Sequence, residues 1–595
     1  MKILRYSSVM IALAFAAMAG GCSKNFLERD PQGLLSEEIV ANKAGVTFLL
    51  VGAYAALDGQ QQSVAALGGG NPWEAAPTNW IYGSVAGGDC HKGSFSGDQP
   101  GIDPIAKFTV DPSNGFFNTK WRAVYEGVAR ANTVLQKMRL AKDMSDAEKT
   151  QVEAEARFLR GHYYFELRKL FNKVPYVSDT TSDPRVKNDK EIWPFIEADF
   201  KFAAEKLPEV QGDVARANKW AAQIYLAKTY LYQKKYADAL PLFDQAIAQG
   251  KTSNGLGYKL IDAFQDNFNA ATKNNSESVF AIQMSANDGT NSIANANQGD
   301  MLNFPYNSPF GCCGFYQPTL DLVNSYRTDP TTGLPDLDNY NGNPVKNDQG
   351  IPSATAFTPE AGTLDPRLDW TVGRRGLPYH DWGNHPGANW IRDQAYAGPY
   401  ATKKMVYWQF NQDKYKDAHS WAPGSAINVL LIRFADVLLM AAECHAQQGD
   451  LAGATNLVNR VRSRVADHPT SWLHKYKDDS QPMQGFDDTK MAANYKIGLY
   501  PAFASLDYAL KAIYFERKLE LATEGHRFFD LVRWGVADKV LNDFIKYETG
   551  GASYPTDLRG GSFTKGKNEY FPIPQRQIDL TMVGGQRILQ QNPQY

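Results

Sequence analysis

Apolar residues recur at three- and four-residue steps over about 42–57 and 117–249, and again over 427–464 and 506–544. That spacing lays one apolar stripe along a helix, so these stretches are predicted helical. Residues 157–171 show it well, with Phe158, Leu159, Tyr163, Phe165, Leu167 and Leu170 on one broad face. Ser145 and Glu148, three apart just ahead of that run, read as a capping box. From 251 to 426 the periodicity fades. Gly, Asn, Pro, Asp and aromatic residues take over, as in Asn303-Phe-Pro-Tyr-Asn-Ser-Pro-Phe310. Long irregular stretches inside a compact protein are uncommon, and often functional. Short strands are predicted within it near 279–284 and 404–410. The expected architecture is mainly α: a helical repeat scaffold over about 42–249 and 427–547, with a loop-rich, ligand-facing part over about 251–426.

Two helical pairs share one pattern. Leu226, Ala227, Tyr230, Ala239, Phe243 and Ala246 stand at the same offsets as Ala441, Ala442, His445, Ala454, Val458 and Val461. Small residues facing one another let two helices pack closely, as in a tetratricopeptide repeat. Such repeats need neighbours to bury their faces. Asp450 is placed to cap the second helix of the later pair.

Composition narrows the function classes. The 595 residues carry 62 basic and 64 acidic side chains, a formal net charge of -2, and 43% hydrophobic residues. The chain is long enough for a large core, and no basic run offers a footprint for nucleic acid. The first residues matter more. A short basic start (Lys2, Arg5) leads into an apolar stretch from Val9 to Ala19, too short to span a bilayer but suited to a secretion signal. Gly20-Gly21-Cys22 then resembles a bacterial lipoprotein box. Residues 1–21 are expected to be removed, leaving one domain over 22–595, lipid-anchored at Cys22 and held by several acyl chains. Cys90, Cys312, Cys313 and Cys444 are too few for a disulfide scaffold. Cys312 and Cys313 are adjacent between two glycines, and either a strained ring or two free thiols fits them. No spacing singles out a zinc site. Asp336, Asp338 and Asn341 do not match a calcium loop. His380 and His385 alone are weak evidence for a metal, so no metal site is assigned, calcium is left open, and no cofactor is expected.

The most specific stretch is Glu516-Arg-Lys-Leu-Glu-Leu-Ala-Thr-Glu-Gly-His-Arg-Phe-Phe-Asp-Leu-Val-Arg-Trp-Gly535. Glu516, Glu520 and Glu524 lie four apart on one helical face, and Arg527, Asp530 and Arg533 are spaced by three. This predicts a structural ion-pair network over an aromatic core rather than catalytic acids. The stretch resembles the SusD/RagB family of Bacteroidetes outer-membrane lipoproteins. So do Phe26-Leu-Glu-Arg-Asp-Pro31, the run Glu155-Ala-Arg-Phe-Leu-Arg-Gly-His-Tyr-Tyr-Phe-Glu-Leu167, Arg433-Phe-Ala-Asp436, Tyr570-Phe-Pro-Ile-Pro574 and the terminal Asn592-Pro-Gln-Tyr595. The resemblance implies helix pairs on one side and ligand-facing loops on the other. It also implies a cell-surface, outer-membrane protein closing as a lid over a SusC-like TonB-dependent transporter and capturing oligosaccharides, or peptides in RagB-like relatives.

A sugar ring favours an exposed aromatic plate flanked by amide, carboxylate or Arg groups. Three groups qualify as ligand-binding candidates: Trp73, Asn79, Trp80, Tyr82 and Asp89; Tyr306 and Tyr316, around the cysteine pair; and Trp382 with Trp390. Five of the twelve tryptophans fall between Trp370 and Trp421. By contrast Trp121, Trp193, Trp220 and Trp534 sit in helical patterns and read as core. A glycoside hydrolase would need two carboxylates facing each other across a cleft, and nothing marks such a pair, so no enzyme is expected.

Overall fold

The computed structural model describes residues 37–59, 70–290, 293, 295–307, 309–552 and 554–595. Cys22 and the expected N-terminal signal, residues 1–21, lie outside them. Helices α1 (Lys43–Ala55), α2 (Gly115–Leu140), α3 (Asp146–Phe171), α4 (Trp193–Lys206), α5 (Lys219–Tyr232) and α6 (Tyr236–Gln249) form the first part of the scaffold. Helices α7 (Phe434–Gln447), α8 (Leu451–Ala466), α9 (Leu506–Glu520), α10 (Arg527–Trp534) and α11 (Ala537–Glu548) form the second. From α2 each helix packs on the next through α6, and α6 packs on α7, so the two parts make one continuous helical layer.

The repeat positions explain that packing. Ala227, Ala239, Phe243 and Ala246 are fully buried, as are Ala441, Ala442, Ala454, Val458 and Val461. His445, where the first pair has Tyr230, sits between Asp450 Oδ2 at 2.8 Å and Asp244 Oδ1 of α6 at 3.1 Å, tying one pair to the other. Caps fall where the sequence places them. Ser145 and Glu148 form the capping box of α3, and Asp450 accepts the Gly453 N–H at 2.8 Å.

Among the described residues the strands form four two-stranded antiparallel sheets: β1 (Cys90–Gly93) with β3 (Phe315–Pro318), β2 (Ser278–Ile282) with β6 (Val429–Arg433), β4 (Val372–Gly373) with β5 (Ala401–Thr402), and β7 (His474–Tyr476) with β8 (Phe486–Met491). Two expectations change. Residues 429–433, predicted helical, form β6, because the short apolar run pairs along its length with β2. Residues 404–410, predicted as a strand, are irregular. There Lys404 is pulled inward, its Nζ donating to the Ala522 carbonyl at 2.7 Å and to Glu524 at 2.6 Å. The loop-rich part has an aromatic core of its own around Phe304, Phe310, Tyr379, Trp390 and Tyr407. Trp121, Trp193 and Trp220 are buried as expected, while Trp534 is half-buried and stacks on Tyr514 with ring centroids 3.7 Å apart.

Candidate functional site

The first candidate group turns inward. Trp80 is fully buried, donates from Nε1 to the Gly299 carbonyl at 3.0 Å and meets Tyr316 edge-on at 5.5 Å. Tyr82 is buried and its hydroxyl donates to the Glu74 carbonyl at 2.7 Å. Asn79, at φ 52°, donates to Glu166 at 3.0 Å, and Trp73 donates from Nε1 to Gln99 at 3.0 Å. Asp89 is buried beneath the break between α9 and α10 and accepts the Thr523 N–H at 3.2 Å; burial raises its pKa to about 6, against the opposing charge of Arg527. The segment lies so close to that break that a Cβ on Gly83 would sit 1.9 Å from the Gly525 carbonyl oxygen. Tyr316 and Trp390 are buried too. These seven side chains support the loops from below, and none offers a ring face for a sugar to stack on.

What reaches the surface above them is a junction of three loops. The β1–β3 pairing sets Gly93 opposite Phe315, which carries residues 94–98 alongside the 304–314 loop. Tyr306 N–H donates to the Trp390 carbonyl at 3.0 Å, and Phe310 inserts among Trp382, Trp390 and Tyr379 at 4.8, 5.8 and 6.1 Å. Tyr306 of the second group is thus tied by its backbone to the third group, Trp382 and Trp390, around Phe310, while Tyr316 packs apart from them against Trp80. At the rim of the junction the Arg392 guanidinium lies 4.3 Å from the Phe95 ring and 5.1 Å from the Tyr306 ring. It donates to Asp98 at 2.8 Å and to Ser94 Oγ at 3.0 Å. Phe95 is 37% exposed, and Tyr306 and Trp382 are half-buried. Trp382 Nε1 donates to the Tyr407 carbonyl at 2.9 Å, which fixes its ring. Two more exposed rings stand elsewhere on the loop-rich part: Phe410, 65% exposed beside Trp408, and Trp421, 55% exposed and edge-on to Trp73.

Phe95, Asp98 and Arg392 were not singled out in the sequence. Phe95 carried a usable signal, a lone bulky ring in Gly93-Ser-Phe-Ser-Gly-Asp98 with no apolar neighbour in sequence to bury it. Arg392 carried none, since only folding brings it between the two rings. Cys312 and Cys313 are joined by a disulfide, with Cys313 buried and Cys312 half-buried between Phe310 and Phe315, while Cys90 and Cys444 are buried thiols. His380 and His385 are buried, and burial lowers both to about 3. No group of three metal-ligating side chains occurs among the described residues.

The ion-pair network is built on Glu516 and Glu520 of α9 and on Glu524, which the spacing places on the same helical face but which stands in the turn after the helix ends at Glu520. Glu516 accepts from Arg367 at 2.6 Å and Arg462 at 2.8 Å. Glu520 accepts from Arg367, Arg433 and Arg464, and Glu524 from Arg433 at 2.8 Å and Lys404 at 2.6 Å. Asp365 and Glu277 complete it, so Asp365, Glu277, Glu516, Glu520 and Glu524 face Arg367, Arg433, Arg462, Arg464 and Lys404 charge for charge. Burial would raise the Glu520 pKa, but Arg464, Arg433 and Arg367 hold it well below the usual carboxylate range. Asp530 pairs with Arg533 and Arg517, both at 2.8 Å. Arg527, expected to join them, makes no ion pair with Asp530; it lines the groove described below, and its charge acts on the buried Asp89.

A family model described as the SusD family matches residues 276–595. The chain belongs to the SusD family. A second model, described as starch-binding and associating with the outer membrane, matches residues 99–231. SusD-like protein P25 of Formosa agariphila is 25% identical over 561 residues, covering 90% of this chain and 91% of that one. Among solved structures, a SusD superfamily protein from Bacteroides vulgatus superposes with a TM-score of 0.65 at 20% identity, covering 93% of this chain and 99% of that one. Surface glycan-binding protein A from Bacteroides thetaiotaomicron, in complex with laminarihexaose, gives 0.62 at 19%, covering 93% and 99%. The SusD fold therefore runs through the scaffold and the loop-rich part alike. Among the described residues no helix is long and apolar enough to cross a membrane.

Proposed function

We propose that this SusD-family protein captures an oligosaccharide at the outer-membrane surface and passes it, chemically unchanged, to a SusC-like TonB-dependent transporter, tethered through Cys22. The observation that carries this reading is the rim of the three-loop junction. There Arg392 is held between Phe95 and Tyr306 with Asp98 and Ser94 at its edge. Rings supply faces for the C–H side of a sugar, while Arg392, Asp98 and the exposed amides of Asn307 and Asn389 suit its hydroxyls. The laminarihexaose held by a SusD-fold relative supports the same ligand class. The acids of the α9 network are each neutralised by buried cations, which supports capture without hydrolysis. Native affinity electrophoresis of residues 23–595 against a polysaccharide panel tests this, with peptides run in parallel by calorimetry. Retardation by one glycan whose chain length is unchanged is the expected result. Shortening of the glycan, or binding of peptides alone, would overturn it.

A further inference from the structure

Away from the loop junction, a groove of about 530 Å³ opens between α9 and the α10–α11 pair. Along α9 its wall is Leu510, Lys511, Tyr514 and Lys518, a stripe of about two turns at three- and four-residue steps. The opposite wall is Arg527, Leu531, Trp534, Val536, Lys539 and Val540. Lysines and arginine stand along an aliphatic and aromatic floor, and Asp507 is the one acidic residue of the lining. The exposed Lys234 makes no side-chain hydrogen bond or ion pair among the described residues, and the half-buried Arg527 makes none either, although its charge also acts on the buried Asp89. Lys511 and Lys539 hold only exposed pairs, with Asp338 and Asp543, both at 2.7 Å. Pairs of that kind contribute little and exchange readily for a better partner. Lys518 is committed, at 2.6 Å from Asp321.

We infer that this groove docks an acidic amphipathic segment of a protein partner, its apolar side chains on the floor and its carboxylates on the basic walls. The floor distinguishes a peptide from a glycan. Its aliphatic side chains suit leucine-like anchors of a helix laid in a groove. Tyr514 and Trp534 spend one face each on stacking against one another, so no open slot is left between them for a sugar ring. Gln447 is the one amide of the lining. Charge sets the sign of the partner: Lys234 is unpaired and Lys511 and Lys539 hold only exchangeable exposed pairs, against the single lining carboxylate of Asp507, while Lys518 and Arg527 already face Asp321 and Asp89. The inference does not depend on glycan binding at the loop junction.

The test places a photo-crosslinking amino acid at Leu510, and separately at Val536, in the full lipoprotein in its own cells, with Leu140 of α2 as an exposed control position. The crosslinked segment is then identified by mass spectrometry. We expect adducts at 510 and 536, absent at 140, that map to one acidic amphipathic segment of one envelope protein. They should fall at least tenfold when Lys511→Glu and Lys539→Glu are combined, two exposed changes that leave glycan retardation unaltered. Adducts to polysaccharide, adducts equal to those at 140, or adducts indifferent to the charge reversal would each overturn the inference.

Discussion

Arg392 gives its guanidinium faces to Phe95 and Tyr306 and its edge to Asp98 and Ser94, so the two rings are braced by a charge that does not have to be buried. Removing either member should unseat ligand without unseating the fold. Tyr306→Ala and Arg392→Ala are each expected to weaken glycan retardation about tenfold, close to 1.4 kcal/mol, with the melting temperature nearly unchanged. Trp80→Ala should do the reverse of this in stability, costing about 3–5 kcal/mol in a denaturant titration because a fully buried indole is replaced by a cavity. Sequence could not separate these roles. Trp80 and Tyr306 both stand among Gly, Asn and Pro, and an aromatic there signals only that something covers it. For Trp80 the cover is Tyr316 and Phe315, more than 230 residues away in the chain. Tyr306 was legible as a candidate, whereas Arg392 was not, because its rings come from two other loops.

Helix α9 shows what a single element has to reconcile. One face carries Glu516 and Glu520 into the interior beside the half-buried Glu524 of the following turn, and the other lines the basic groove. Spacing made the acidic face readable in advance, since carboxylates four apart on a helix must meet a common environment. Their partners Arg367 and Lys404 were not readable, because they come from the irregular loops. Glu520→Gln leaves Arg433, Arg464 and Arg367 short of one negative charge in the interior. Its expected cost is about 3–5 kcal/mol by denaturant titration, the usual loss when one member of a buried ionic cluster is removed. A loss below about 1 kcal/mol would mean that water reaches the cluster. β6 taught the opposite lesson at the same scale. Its apolar run reads equally as helix or strand, and only pairing with β2, about 150 residues earlier, decides between them.

Over the whole molecule, distant parts of the chain are clasped together. His91 of β1 lies between Glu548 of α11, at 3.2 Å, and Asp557, at 2.9 Å. Burial alone would lower its pKa, but the two carboxylates outweigh that and raise it to about 10. A raised folded pKa stabilises fully below the unfolded value of about 6.5, and the contribution is lost as pH rises through 10. The stability difference between the native chain and His91→Gln should therefore be constant from pH 5 to 6.5 and shrink steadily towards pH 10. A difference independent of pH would show that His91 is neutral in the fold. The helical layer was legible from periodicity because its contacts are mostly between sequence neighbours, while clasps such as this one join residues too far apart for any local pattern to announce. The β2–β6 ladder has a further consequence. It brings Ser278 opposite Arg433, so everything between leaves and re-enters the scaffold one strand apart. Such a segment can be lengthened at its exposed loop tips while the helices keep their register. Its freedom has conditions, because any replacement must still deliver the cations of Arg367 and Lys404 to Glu516, Glu520 and Glu524, and a carboxylate to Lys518 where Asp321 now stands. It must also supply a strand in place of β3 to pair with β1 and cover Trp80.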